Sequence, residues 1–317
     1  MSKVSFILPA YKGLFLRESI LSILDQKYSN FELVIVNDKS PDDIKGIVSS
    51  FNDSRIKYYE NEKNIGEEDL VANWNLCLSY ATGKWGVLAS DDDIYEKTFL
   101  SELIQLVEKY PHIDLVHCRH RIINGDGDVL GFSEPCLEFE CAEEFIFHNI
   151  IRRRRQVAPN FMFRISALRE IDGFVNLPMA WGSDDATWCK LALGGGVIYT
   201  GSVLFSWRSS GINISSQVRN QFDKAKTRLL LFDYFEKEIL SYFRNESELS
   251  NFFGRIVNAS LHKAIAGEIV YTISNSRSIK TLSKIYLDKE LSRFLGIGFK
   301  AKLVFYFLYL KLNKRLS

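Results

Sequence analysis

Cysteine is scarce in this sequence and never paired. The five, Cys77, Cys118, Cys136, Cys141 and Cys189, are odd in number and form no C-x-x-C. Neither a disulfide framework nor a zinc site is expected, and a reducing, cytoplasmic compartment is. The five histidines show no metal-ligand spacing. No G-x-G-x-x-G follows the first apolar run and no G-x-x-x-x-G-K-[ST] occurs anywhere, which weighs against a dehydrogenase and a P-loop NTPase. Long hydrophobic runs are also missing. Val4–Leu8, stopped by Pro9, is too short for a signal peptide. Leu303–Leu310, between Lys302 and Lys311, falls far short of the roughly 20 residues that span a bilayer.

What is present is an ordinary globular balance, 46% hydrophobic and 25% charged over 317 residues, enough for one large domain and an appendage. Aromatics reach 13%, which suits a large core or a surface that meets sugars or lipid. The net charge of +1 hides an asymmetry. Residues 218–317 hold 18 Lys and Arg against 9 Asp and Glu, and the rest hold 22 against 30. A basic back of this kind suits an anionic partner such as nucleic acid or a lipid surface.

Apolar runs at 4–8, 31–36, 56–59, 85–89 and 113–118 read as strands. Helical patterns at 16–24, 44–51, 70–80 and 99–110 separate them. Phe31–Val36 is apolar nearly throughout, as strands buried on both faces of a parallel sheet are. The alternation predicts an α/β domain with a mainly parallel central sheet flanked by helices, whose ligands bind beyond the carboxyl ends of the strands. Asn124–Gly127 reads as a hairpin turn. From about residue 218 the chain reads as helices, giving a division into residues 1–217 and a helical extension, 218–317.

Two polar loops fall at strand ends. Asp38 and Asp43 follow the second strand, where an acid can accept from a ribose hydroxyl or a base N–H, or cap a turn. Ser90-Asp91-Asp92-Asp93 follows the fourth. Three adjacent carboxylates repel one another and call for solvation, a helix-capping role or a hard cation such as Mg²⁺ or Mn²⁺. Asn64-Ile-Gly66 precedes a helix and places a glycine where a ligand or backbone comes close. Asp184 and Asp185, after Trp181, form a second acidic pair at a helix start, suited to capping or to general-base work. Arg152–Arg155 is a basic run that suits a pyrophosphate, a lipid headgroup or plain solvent.

In order and spacing, Ser5-Phe-Ile-Leu-Pro-Ala-Tyr11, Leu33-Val-Ile-Val-Asn-Asp-Lys-Ser40, Asn64-Ile-Gly66, Leu88-Ala-Ser-Asp-Asp-Asp93 and Ser183-Asp-Asp185 resemble the family-2 inverting glycosyltransferases of GT-A fold. Phe163-Arg-Ile-Ser-Ala-Leu-Arg-Glu-Ile-Asp-Gly-Phe174 is similar to that family too. The resemblance covers roughly residues 3–215. It implies that Pro9, Ala10, Tyr11, Asp38, Asn64, Gly66, Asp91 and Asp92 bind a nucleotide-sugar, UDP before other nucleotides, and that Asp92 and Asp93 hold a divalent metal, Mg²⁺ or Mn²⁺. Asp184 matches the catalytic base, with Asp185 as the alternative. Trp181, Arg155 and Arg208 are candidates for the acceptor or the diphosphate. Ser183 stands where the family often has Glu. Ser209 and Ser210, in Trp207-Arg208-Ser-Ser-Gly-Ile-Asn-Ile-Ser215, stand where it often carries a His that contacts the metal or diphosphate.

The implied reaction moves a sugar onto a hydroxyl of a saccharide acceptor, linked to a polyprenyl diphosphate, in surface-polysaccharide or O-antigen synthesis. No nucleic-acid partner is expected. The basic, aromatic segment Phe299–Arg315 suggests an interfacial helix on the cytoplasmic face of the inner membrane, or one packed on the catalytic domain or in an oligomer interface. The rival readings are a nucleotidyltransferase, whose Gly- and Lys-rich phosphate loop Pro9–Gly13 matches poorly, and an inactive sugar-nucleotide-binding scaffold.

Overall fold

The run Val4–Ala10 forms strand β1 at the centre of a sheet, where both of its faces are covered and alternation is lost. A computed structural model describes residues 2–211, 221–243, 247–276 and 278–313. By contacts the chain divides into two units, Met1–Ser210 and Gly211–Ser317.

In the first unit β1 is followed by α1 (Leu16–Leu24), β2 (Phe31–Asn37), α2 (Ile44–Ser49), β3 (Ile56–Glu60), α3 (Leu70–Ser79) and β4 (Trp85–Leu88). Next come β5 (Ile94–Tyr95), α4 (Phe99–Lys109), β6 (Leu115–Ile123), β7 (Val129–Phe132), β8 (Phe139–Glu140) and α5 (Ala142–Ile150). The unit closes with β9 (Phe161–Arg164), α6 (Ile165–Glu170), α7 (Ser183–Ala192) and β10 (Val197–Arg208). The sheet order is β3-β2-β1-β4-β9-β6-β10-β5, with β7 on β6 and β8 on β10. The first four of these strands are parallel, as the sequence pattern predicts. The other half is mixed: β9 runs antiparallel to β4 and β6, and β10 is parallel to β6 but antiparallel to β5 and β8. The α4 helix begins at Phe99, because Ile94 and Tyr95 leave the acidic loop as a short strand paired to β10.

Phe6, Leu8 and Ala10 of β1 pack with Leu16, Ile20 and Ile23 of α1 and with Phe99, Leu103 and Val107 of α4 in one core. Tyr95 locks the junction, its ring 5.1 Å from Phe6, 4.8 Å from Phe99 and 5.0 Å from Phe205. Register then fixes the working edge. Ala10 lies beside Asn37, and Ile7 beside Leu88, so the loops after β1, β2 and β4 open along one rim.

The second unit is helical. α8 (Gln221–Tyr234) runs through a π turn, Phe235–Ile239, into α9 (Leu240–Tyr242). α10 (Ser247–Ser276), α11 (Ile279–Leu287), α12 (Lys289–Phe294) and α13 (Ile297–Asn313) follow. Among the described residues no helix is long and apolar enough to cross a membrane.

Candidate active site

The loop after β2 is organised by Asp38, which is 3% exposed. Its Oδ1 accepts from Asn61 Nδ2 (2.7 Å) and the Ile65 N–H (2.8 Å), and its Oδ2 from the Gly66 N–H (2.7 Å). Asp38 and Gly66 are thus joined directly, whereas Asn64 turns the other way, its Oδ1 accepting from the Glu67 N–H at 3.0 Å. A Cβ on residue 66 would stand 2.7 Å from Asp38 Oδ2, which is why a glycine occupies that position. Asp43 has a different job. It caps α2 by accepting from the Gly46 N–H at 2.8 Å.

The loop after β4 carries the three carboxylates, each less than a tenth exposed. They are separated by partner. Asp91 Oδ2 accepts from the backbone N–H groups of Tyr11 (2.9 Å) and Lys12 (2.7 Å), so it shapes the loop after Pro9 and Ala10. Asp93 Oδ1 accepts from the Arg208 N–H at 2.8 Å. Asp92 lies between them. Burial and its neighbour Asp91 push its carboxyl up to about 6, against the pull of Lys12 and Arg208. Burial, and then Asp92, push Asp93 well above the ordinary carboxylate range. Lys12 is the cation that the sequence reading passed over, because Pro9–Gly13 does not match a phosphate-loop pattern.

Arg208, at the end of β10, is 2% exposed and engaged with protein groups. Nε donates to the Asp92 carbonyl (2.8 Å), one Nη to the carbonyls of Asn124 (3.4 Å) and Gly125 (3.0 Å), and the other to Glu18 Oε2 (2.5 Å). The guanidinium also sits 4.2 Å from the centre of the Phe15 ring. It fastens the acidic loop to α1 and to the β6–β7 turn. Of the segment Trp207–Ser215 that resembles the family, residues 212–215 lie outside the described residues.

A third group surrounds the start of α7. Trp188 buries this helix against Phe161 (5.0 Å), Phe163 (5.5 Å) and Phe174 (6.1 Å). The preceding segment is tied to α3: Asn75 Oδ1 accepts from the Phe174 N–H, and Asn176 donates to Asp69 at 2.7 Å. Gly173 (φ 87°) fits here because a Cβ would meet Asn75 Oδ1 at 2.4 Å. Met179 and Ala180 have positive φ, a strained turn just before the acidic pair, and Gly182 follows at φ 90°, which a glycine adopts without strain. The N-cap is Gly182, with no side-chain bond, so neither aspartate caps the helix.

Asp185 is held by Asn149 Nδ2 (3.1 Å) and by the Arg152 guanidinium (3.1 Å). Asp184 is half-buried. Loss of solvation, and then the charge of Asp185, push its carboxyl up to about 7, against the pull of Arg152. The basic run is dispersed rather than joined into one anion clamp: Arg152 serves Asp185, Arg154 pairs with Glu140, and Arg155 binds Glu134 and the Phe132 carbonyl. Trp181 lies half-buried beside the strained turn.

Glycosyl transferase family 2 matches residues 5–171. The chain belongs to that family. It is 34% identical over 133 residues to a UDP-Glc:alpha-D-GlcNAc-diphosphoundecaprenol beta-1,3-glucosyltransferase of Escherichia coli, covering 42% of this chain and 51% of that one. Among solved structures, S. aureus TarS 1–349 in complex with UDP-GlcNAc superposes with a TM-score of 0.61 at 17% identity, over 100% of this chain and 92% of that one. The mannosyltransferase PcManGT of Pyrobaculum calidifontis, in complex with GDP-Man and Mn²⁺, gives 0.55 at 18%, over 98% and 87%. These two likenesses establish the GT-A-type fold.

The acidic loop depends on one buried cation, which yields a stability prediction. Arg208→Ala leaves the Asp92, Asn124 and Gly125 carbonyls without that donor and Glu18 without its partner. Because Glu18 is half-exposed and only the carbonyls are stranded, the substitution is expected to cost about 1–3 kcal/mol in denaturant unfolding. Arg208→Lys should recover only part of this, because an ammonium lacks the planar fork.

Proposed function

We propose that this glycosyltransferase moves a sugar from a nucleoside-diphosphate sugar, UDP first among nucleotides, to a saccharide hydroxyl, with Asp184 as general base and inversion at the anomeric carbon. The observation that carries the assignment is the division of labour between the two aspartates. Asp185 is tied to Asn149 and Arg152, whereas Asp184 has a carboxyl raised to about 7, close to the operating pH at which a base is most effective.

In this reading the loops after β1, β2 and β4 receive the nucleotide, with Pro9, Ala10 and Tyr11 against the base and ribose. Asp38 holds the Asn64–Gly66 turn that lines the same rim. Asp184 accepts the proton of the acceptor hydroxyl. The oxygen attacks the anomeric carbon from the face opposite the diphosphate. The bond to the diphosphate oxygen breaks, and the nucleoside diphosphate leaves with the electron pair. Lys12 faces the same acidic loop and suits the diphosphate charge.

With Asp91 turned to the Tyr11 and Lys12 amides, Asp92, with Asp93 behind it, is the carboxylate that would hold a divalent cation. Among the described residues no group of three or more His, Cys, Asp or Glu side chains is arranged to hold a metal. Mg²⁺ and Mn²⁺ take one or two protein carboxylates and complete their shells with substrate phosphates. When bound, it would supply positive charge against the departing diphosphate. Catalysis by the E. coli relative on a diphosphoundecaprenol-linked sugar supports a polyprenyl-diphosphate-linked acceptor here, in surface-polysaccharide synthesis at the cytoplasmic membrane face.

Asp184→Asn should lower kcat by roughly a hundredfold to ten-thousandfold while donor affinity stays nearly unchanged. Equal loss of donor binding and turnover would remove the base assignment. In wild type, the rate should fall as pH drops below about 7, because protonated Asp184 cannot accept a proton. Arg152→Gln removes the cation that favours the charged form. The acid limb of the pH–rate profile should therefore move to higher pH, and an unmoved limb would contradict the pairing described here.

A further inference from the structure

The last helix has its apolar residues on the wrong side for a soluble protein. α13 buries Leu303 and Phe307, yet its opposite face exposes Ile297 (89%), Phe305 (72%), Tyr309 (60%), Leu308 and Val304. At 3.6 residues per turn these five share one stripe, with Lys302 on one edge and Lys311 on the other, both exposed. A helix apolar all round needs a second cover. The chemistry around it limits what that cover can be. Residues 291–317 contain six Lys and Arg and no Asp or Glu, within a segment of net charge +9, so a second copy of the same face would bring like charges together.

α11 of the same unit repeats the combination. Ile279 and Leu287 are exposed beside Lys280 and Lys284, along an open cleft of about 580 Å³. Asp288 also lines this cleft, but it pairs with Lys226 (3.2 Å) and caps α12.

We infer that the exposed α13 face docks on an anionic lipid bilayer, the helix lying in the plane of the interface. Ile297, Phe305 and Leu308 would enter the acyl boundary, and Lys302 and Lys311 would reach out to the phosphate headgroups on either side. The inference goes beyond the transfer reaction and uses the C-terminal unit's own residues. Vesicle binding is read without turnover, so a failure here leaves the reading of the catalytic site standing.

The test is co-sedimentation of the full chain with vesicles of phosphatidylcholine alone or with roughly one third phosphatidylglycerol. The protein should pellet with the anionic vesicles and stay in solution with the neutral ones. F305S/L308S and K302E/K311E should each weaken binding about tenfold or more. Their circular dichroism and melting temperature should match wild type, since these side chains are on the surface. Absence of pelleting with anionic vesicles, or equal binding by wild type and F305S/L308S, would overturn the inference. So would a dimer in sedimentation velocity that F305S/L308S dissolves without any vesicle binding, which would assign the face to a second copy.

Discussion

Repulsion among three consecutive buried carboxylates is the constraint around which the rim of the sheet is arranged. Asp91, Asp92 and Asp93 cannot share one low-dielectric space as free anions. The fold gives each a separate environment. Asp91 turns back to the Tyr11 and Lys12 amides, and Asp93 to the Arg208 amide. Asp92 is left between them. The same bonds that relieve the repulsion also build the site, because they fix the β1 loop and the end of β10 against the acidic loop. Arg208 completes this by carrying one buried positive charge into the cluster and tying α1 and the β6–β7 turn to it.

A second pair of like charges is handled in the opposite way. Asp184 and Asp185 are adjacent at the start of α7, and there the difference between them is the useful property. Asn149 and Arg152 hold the Asp185 carboxylate in place, and its charge makes Asp184 harder to ionise. In the acidic loop like charges are parted onto different partners, while at the helix start one carboxyl is tied down and its neighbour is raised toward neutral pH. Both lie on elements made rigid by aromatic packing, Tyr95 in one case and Trp188 in the other.

The parallel half of the sheet was legible because its strands are apolar on both faces and its helices keep the 3.6-residue period. The acidic motifs were legible because each follows a strand end or opens a helix. The mixed half was harder to read. β5 is two residues long, and β9 runs antiparallel between strands distant in sequence, so neither has a local pattern of its own. Pairings across long separations were invisible for the same reason. Asp93 meets Arg208 across 115 positions. Arg152–Arg155 looks like one basic patch in sequence, but its left-handed turn at Arg152 (φ 54°) helps send neighbouring side chains to different acids. Asp38 illustrates a subtler limit. Its place at a strand end followed from the sequence pattern, but the bonds from its carboxylate to the Ile65 and Gly66 amides span 27 and 28 positions and have no local signature.

We propose that the rim formed by the loops after β1, β2 and β4 binds a nucleoside-diphosphate sugar through a divalent metal. A thermal-shift series tests it most directly, since a ligand that binds only the native state raises the melting temperature. The purified chain would be melted with UDP-, dTDP- and GDP-sugars, each with Mn²⁺, Mg²⁺ or EDTA. The expected result is a rise with UDP-sugars that disappears in EDTA. A folded sample whose melting temperature moves with none of these nucleotides, with or without metal, would contradict it.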